Sequence, residues 1–127
     1  MKKFKKKLTA VIFGISGQDG LYLANFLLKK KYRVIGVTRK INKKKIFRFK
    51  LLNIERKIKL IKGNAVNFNF VKKLIKNNKN IKEIYYLSGA SSVTSSFSNP
   101  IESFKSNALA IFNILENIKN INKNIKV

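Results

Sequence analysis

Apolar residues along the chain fall into short runs separated by polar, glycine-bearing segments. Leu8 to Phe13 is an apolar run broken only by Thr9, as expected of a central parallel strand buried on both faces. It leads at once into Gly14-Ile15-Ser16-Gly17-Gln18-Asp19-Gly20. Leu21 to Lys31 then switches to helical spacing, with Leu23, Ala24, Leu27 and Leu28 on one stripe. Tyr32 to Thr38 reads as a second short strand, and Leu8 to Thr38 together has the length of a strand–helix–strand unit.

Beyond this unit the pattern continues to alternate. Ile41 to Lys57 is basic and mixed and has room for a short helix whose ends the pattern does not fix. Lys59 to Ile61 predicts a third strand, leading to Gly63-Asn64-Ala65. Asn67 is placed to cap a helix reaching about Lys76, with Val71, Leu74 and Ile75 inward. Ile84 to Leu87 predicts a fourth strand, followed by the small-residue loop Ser88-Gly89-Ala90-Ser91-Ser92. Asn99, Pro100 and Glu102 then occupy the N-cap, N1 and N3 positions of a long helix. Its apolar residues, Ile101, Phe104, Ala108, Ile111, Phe112, Leu115 and Ile118, recur at three- and four-residue spacing. Asn120 to Asn124 is a polar connection, and Ile125 to Val127 looks like the start of a fifth strand.

The first glycine segment carries the candidate chemistry. Gly14 allows a tight turn off the strand, Gly17 lets a phosphate approach the backbone, and Gly20 lets the helix pack closely. A helix N-terminus behind such a turn offers unpaired N–H groups and the positive end of its dipole to a diphosphate. The spacing is GxxGxxG rather than GxGxxG. The pattern gains weight from its position between a strand and a helix, and an ordinary turn that binds nothing is the alternative. Arg39 follows the second strand, where a dinucleotide fold meets the adenosine ribose. A basic residue there accommodates the 2′-phosphate of NADP, and an acidic one would favour NAD. The alternative is that Arg39 is one more cation in a basic chain.

Composition narrows the remaining classes. The 127 residues are 45% hydrophobic, enough for one domain with a core. Cysteine and histidine are absent, which excludes a thiolate metal site and a Ser-His-Asp or Cys-His nucleophile within this chain. The acids are Asp19, Glu55, Glu83, Glu102 and Glu116, too few and too scattered for a carboxylate metal cluster, so no metal site is expected. No run approaches the roughly 18 apolar residues of a membrane span. Met1 to Lys7 is basic and precedes an apolar run, as in a signal peptide, but the run is short and enters a glycine turn without a small-residue cleavage site. The expectation is a cytoplasmic chain with a solvated basic tail and no membrane partner. The net charge of +24 could serve nucleic acid, but the lysines are spread along the chain apart from Lys2–Lys7 and Lys43–Lys45. Abundant lysine, asparagine and isoleucine together also fit a base-composition bias, so a nucleic-acid partner is the weaker reading.

These motifs carry a resemblance. Gly14 to Gly20 with Tyr22-Leu23, and Gly36-Val37-Thr38-Arg39, resemble the amino-terminal part of extended short-chain dehydrogenases. So do Glu83 to Val93, Ser96-Phe97 before Asn99-Pro100, and Asn113-Ile114-Leu115-Glu116. Within that group the chain looks most like the GDP-mannose 4,6-dehydratase family, and the Gly-Gln-Asp-Gly form of the turn is specific there. The resemblance implies an α/β, Rossmann-like doubly wound parallel sheet, here four strands and the start of a fifth in a single NADP-binding domain over residues 1–127. It implies that Gly14, Ile15, Ser16, Gly17, Gln18, Asp19 and Gly20 hold the pyrophosphate and that Arg39 holds the 2′-phosphate. Asn64 and Ala65 would lie by the adenine, where the family has Asp-Leu, and Leu87, Ser88, Gly89, Ala90 and Ser91 by the ribose and nicotinamide.

The implied reaction is an internal redox. NADP⁺ takes hydride from the sugar C4, water is lost across C5 and C6, and the hydride returns to C6, giving GDP-4-keto-6-deoxymannose from GDP-mannose. The family's Ser/Thr, glutamate and Tyr-x-x-x-Lys would fall beyond Val127, so the resemblance implies no catalytic residue in this chain and no activity for it alone. It also implies a homo-oligomer when complete. Another nucleotide-sugar epimerase, dehydratase or reductase sharing this half is the alternative.

Overall fold

The computed structural model describes residues 7–90 and 92–127. Ser91 and all of the expected basic tail except Lys7 lie outside them. Strand β1 (Thr9–Phe13) is buried along its whole length. It pairs in parallel with β2 (Arg33–Thr38) on one side and β4 (Ile81–Tyr86) on the other, and β3 (Ile58–Lys62) pairs with β2. The sheet order is β3-β2-β1-β4, all parallel. Lys126 adds the first rung of a further parallel strand outside β4, where the Ile84 amide donates to the Lys126 carbonyl at 2.8 Å.

The helices cover both faces, as the apolar runs of a parallel sheet require. On one face Ala10, Ile12 and Val34 pack against Leu21, Ala24 and Leu27 of α1 (Gln18–Lys29) and Phe49 of α2 (Lys43–Leu51). On the other, Val11, Phe13, Ile35 and Val37 meet Val71, Leu74 and Ile75 of α3 (Phe68–Asn77). Ala110, Ile114 and Ile118 of α6 (Ala110–Ile121) complete that layer. This is the doubly wound architecture that the resemblance implies. The short helix expected within Ile41 to Lys57 is α2.

Several details differ from the sequence expectation, beginning with β4, which starts at Ile81 rather than Ile84. Helix α1 starts at Gln18 rather than Leu21, because Gly20 fits inside its first turn. The stretch before Asn99 is also helical: α4 (Val93–Ser98) is capped by the Ser92 side chain, which accepts from the Ser95 amide at 3.3 Å. Asn99 ends α4, its amide donating to the Ser95 carbonyl at 2.9 Å, and its side chain makes no cap for α5 (Pro100–Phe104).

The long helix is also not continuous. A π-helical stretch, Lys105–Leu109, separates α5 from α6. The buried side of α6 is set by Ala110, Asn113, Ile114, Asn117 and Ile118, while Ile101, Phe104, Phe112 and Leu115 face solvent. Two buried asparagines take positions that an apolar count assigns to the surface. Asn113 donates to the carbonyls of Ala65 and Val66, both at 2.9 Å, and Asn117 donates to the Asn113 carbonyl at 2.9 Å. These bonds satisfy both the buried amides and the loop after β3.

Candidate functional site

The strand order reverses around β1: β2 and β3 lie to one side and β4 to the other. In such a sheet the crevice beyond the strands' carboxyl ends is where ligands bind. Here that crevice is a cavity of about 430 Å³. Each strand contributes its carboxyl end: Phe13 and Gly14 after β1, Val37 to Arg39 at β2, Gly63 to Val66 after β3, and Tyr86 to Ala90 at β4.

The glycine turn is built for close approach. Gly14 has φ +82°, and a Cβ there would sit 2.7 Å from the Leu87 carbonyl oxygen. Any other residue would be strained as well as obstructed. The Gly17 amide donates back to the Gly14 carbonyl at 3.0 Å, closing the turn. At Gly20 a Cβ would lie 2.5 Å from the Gly14 carbonyl oxygen, so glycine is what lets α1 start directly on the turn.

The N-terminus of α1 is open. Its N-cap residue, Gly17, supplies no side-chain hydrogen bond. Three other helices are closed from within: Asn42 accepts from the Lys45 amide, Asn67 from the Phe70 amide and Ser92 from the Ser95 amide, whereas the short α5 also lacks a side-chain cap. The start of α1, which meets the cavity through glycine, thus leaves its first-turn donors and the positive end of its dipole open to an anion.

The expected site residues divide into three groups. Gly14, Ser16, Gly17, Arg39, Asn64, Ala65, Leu87, Ser88, Gly89 and Ala90 all line the cavity. Ile15, Gln18, Asp19 and Gly20 do not. Ile15 is fully buried with its side chain against Gly36 of β2, and Gln18 and Asp19 are exposed on the first turn of α1. Ser91 lies outside the described residues. The Asn64 side-chain oxygen, Oδ1, accepts from the Val66 amide at 3.1 Å, which shapes the loop and leaves the side-chain NH₂ for a ligand.

Several lining residues carry no signal in the sequence pattern. Thr38 ends β2 buried, with its hydroxyl 3.2 Å from that of Ser16 and donating to the Lys40 carbonyl at 3.1 Å. Lys45 reaches the same hydroxyl from α2, its ammonium donating at 3.4 Å. Ser95, Asn99, Glu102, Ser103 and Ser106 line the far side from α4, α5 and the π-helical stretch. Asn107, in that stretch, donates to the Ala90 carbonyl at 3.1 Å and so ties the helix to the loop after β4. A π-helical insertion that turns one side chain toward a site recurs at functional positions.

Phe13 and Tyr86 form the floor, with ring centroids 5.9 Å apart. The Tyr86 hydroxyl donates to the Ser106 carbonyl. Burial pushes that hydroxyl's pKa up, and the charge of nearby Arg39 pulls it the other way. Tyr85 points to the opposite face, where it and Tyr32 both donate to half-buried Glu83, at 2.9 and 3.2 Å. Glu83, on β4, thereby ties β4 to the residue before β2.

Comparison with known proteins gives these features a context. The sequence model of a family described as GDP-mannose 4,6 dehydratase matches residues 11–127. The GDP-mannose 4,6 dehydratase of Cricetulus griseus is 39% identical over 101 residues, covering 75% of this chain and 27% of the relative. That of Vibrio cholerae serotype O1 is 34% identical over 125 residues, covering 89% and 31%. The chain therefore spans less than a third of the length of these curated relatives.

Among solved structures, the UDP-glucose 4-epimerase of Bifidobacterium longum, in complex with NAD+ and UDP, superposes with a TM-score of 0.77 at 21% identity. It is covered to 34%, and this chain to 90%. The UDP-Glc/GlcNAc 4-epimerase of Campylobacter jejuni gives 0.77 at 20%, with 34% and 89% covered. These likenesses establish the Rossmann-like fold.

Proposed function

Because the chain belongs to the GDP-mannose 4,6-dehydratase family, we propose that it is the cofactor-binding portion of a GDP-mannose 4,6-dehydratase and holds NADP in the cleft. The observation that carries this reading is the open N-terminus of α1 set behind Gly14 at φ +82°, beside a cavity that no side chain of the described residues fills. The residues present suit the cofactor. Ser16, Gly17 and the first-turn amides of α1 would hold the diphosphate, and Arg39 the 2′-phosphate. Asn64 and Ala65 would flank the adenine. Leu87 to Ala90, with Ser91, would meet the ribose and nicotinamide. When bound, the nicotinamide supplies a reversible acceptor for a sugar hydride.

The chain's own residues bind, orient and exclude water. Phe13 and Tyr86 close the floor against solvent. The Tyr86 hydroxyl is committed to the Ser106 carbonyl and so does not stand ready to move a proton. In this reading the conversion of GDP-mannose needs groups outside these 127 residues, and the chain alone has no dehydratase activity. We read the protein as cytoplasmic and, with its full complement of residues, as a homo-oligomer. Among the described residues no helix is long and apolar enough to cross a membrane.

The test is a fluorescence titration of the chain with NADPH beside a titration with duplex DNA at two salt concentrations. Saturable NADPH binding is expected, with DNA binding weak and lost as salt rises. DNA binding with a steep salt slope and no NADPH response would overturn the reading in favour of nucleic acid.

A further inference from the structure

The run Lys43-Lys44-Lys45 is chemically uniform in sequence, and the fold makes one of the three different. Lys43 and Lys44 are exposed, whereas Lys45 is half-buried and its ammonium donates to the Thr38 hydroxyl at 3.4 Å. A surface lysine ordinarily keeps its side chain free in water, because fixing it costs rotamer entropy. Lys45 is instead drawn over the end of β2, on the rim of the cavity that also holds Arg39.

We infer that Lys45 is a second cation for the ribose 2′-phosphate and, with Arg39, sets the preference for the phosphorylated cofactor. This rests on the reading that the cleft takes an adenine dinucleotide. Among the described residues neither Lys45 nor Arg39 makes an ion pair. The one carboxylate among the described lining residues, Glu102, belongs to the far wall and is paired with Lys105. An ammonium has three donors and Thr38 engages one, which leaves others for an anion. Two uncompensated cations at the end of β2 match a phosphate monoester, which carries about −1.5 to −2 at neutral pH. The diphosphate has its own seat at α1. Thr38 also joins the two seats, since its hydroxyl lies 3.2 Å from that of Ser16 in the glycine turn. The two cations differ in kind: the guanidinium forks onto two oxygens, and the ammonium acts as a compact charge.

The test is calorimetric binding of adenosine 2′,5′-bisphosphate and adenosine 5′-monophosphate, which differ only in the 2′-phosphate. The wild-type chain should prefer the bisphosphate. Lys45→Ala should weaken the bisphosphate about tenfold, the scale of one charged hydrogen bond, and leave the monophosphate within about twofold. Lys45→Arg should retain the preference. Lys44→Ala removes the same charge one residue away and should change neither probe. Equal weakening of both probes by Lys45→Ala, no effect on either, or an equal effect of Lys44→Ala would overturn the inference while the nucleotide site stands. Binding of neither probe to the wild-type chain would overturn the dinucleotide reading and this inference together.

Discussion

At the β1–β2 end of the cleft the lining is backed by buried strand: β1 is buried throughout, and Val34 to Thr38 of β2 are buried behind Arg39. At the β4 end the wall is α4 and α5, which bury none of their residues. Phe13 is 1% exposed, and Phe97, on α4, is 84% exposed. Chemistry follows the same division. The first end carries Arg39 and Lys45 beside the open helix start, and the second carries Ser95, Ser103, Ser106 and Asn99. The basic end is thus fixed by core packing, while the other wall is held by hydrogen bonds such as Asn107 to Ala90 and Tyr86 to Ser106. The basic end can be pre-organised by the core, whereas α4 and α5 bury none of their residues at the opposite wall.

The sharpest way to break this comparison is to truncate one phenylalanine at each end. Phe13→Ala should cost about 3–5 kcal/mol, the usual range for a buried phenylalanine. Phe97→Ala should stay within about 0.5 kcal/mol, as for a surface change. Denaturant midpoints of the two variants measure both, and equal losses would erase the distinction between the ends.

A smaller effect is expected at Asn113. Asn113→Leu keeps the approximate volume but leaves the Ala65 and Val66 carbonyls without their donor. A loss of about 1–3 kcal/mol is expected, the cost of unsatisfied buried polar groups. It should come with faster amide exchange in the loop after β3. A stable variant with an unaltered loop would show that α6 does not hold the loop after β3.

The smallest effect concerns the far face of the sheet. Burial and the hydrogen bond to Glu83 raise the pKa of Tyr85 above its ordinary value of 10.0, and burial and the Glu83 charge raise that of Tyr32. Above about pH 10 the unfolded chain has released these protons and the folded chain still holds them. The stabilisation is therefore complete below that pH and is lost as pH rises through the raised folded values. Tyr85→Phe should lower stability slightly at neutral pH and make the alkaline decline shallower. An unchanged alkaline slope by thermal melting would refute the tie.

The sequence made the first strand, turn and helix readable because glycine is demanded there by backbone geometry, and Gly14 and Gly20 sit where their absent Cβ matters. Arg39 was readable as a cavity residue because its place follows from the end of β2. Lys45 was not, since three adjacent lysines differ only in helical phase, and phase matters only once α2 is packed. Helix α4 was hidden because Val93-Thr94-Ser95-Ser96-Phe97-Ser98 has no apolar period and is held by serine caps and local bonds. The buried side of α6 was misread because Asn113 and Asn117 are core residues by virtue of carbonyls in the loop after β3 and at the start of α3, 48 and 49 positions away in sequence.

The central claim is that main-chain amides at the start of α1 receive the cofactor's diphosphate, and a backbone amide spectrum of the isotopically labelled chain titrated with NADPH tests it most directly. The account predicts saturable shifts that are largest at Ser16, Gly17, Gln18 and Asp19. No saturable change at these amides, with salt-sensitive shifts at surface lysines of α3 such as Lys72 and Lys73 instead, would contradict it.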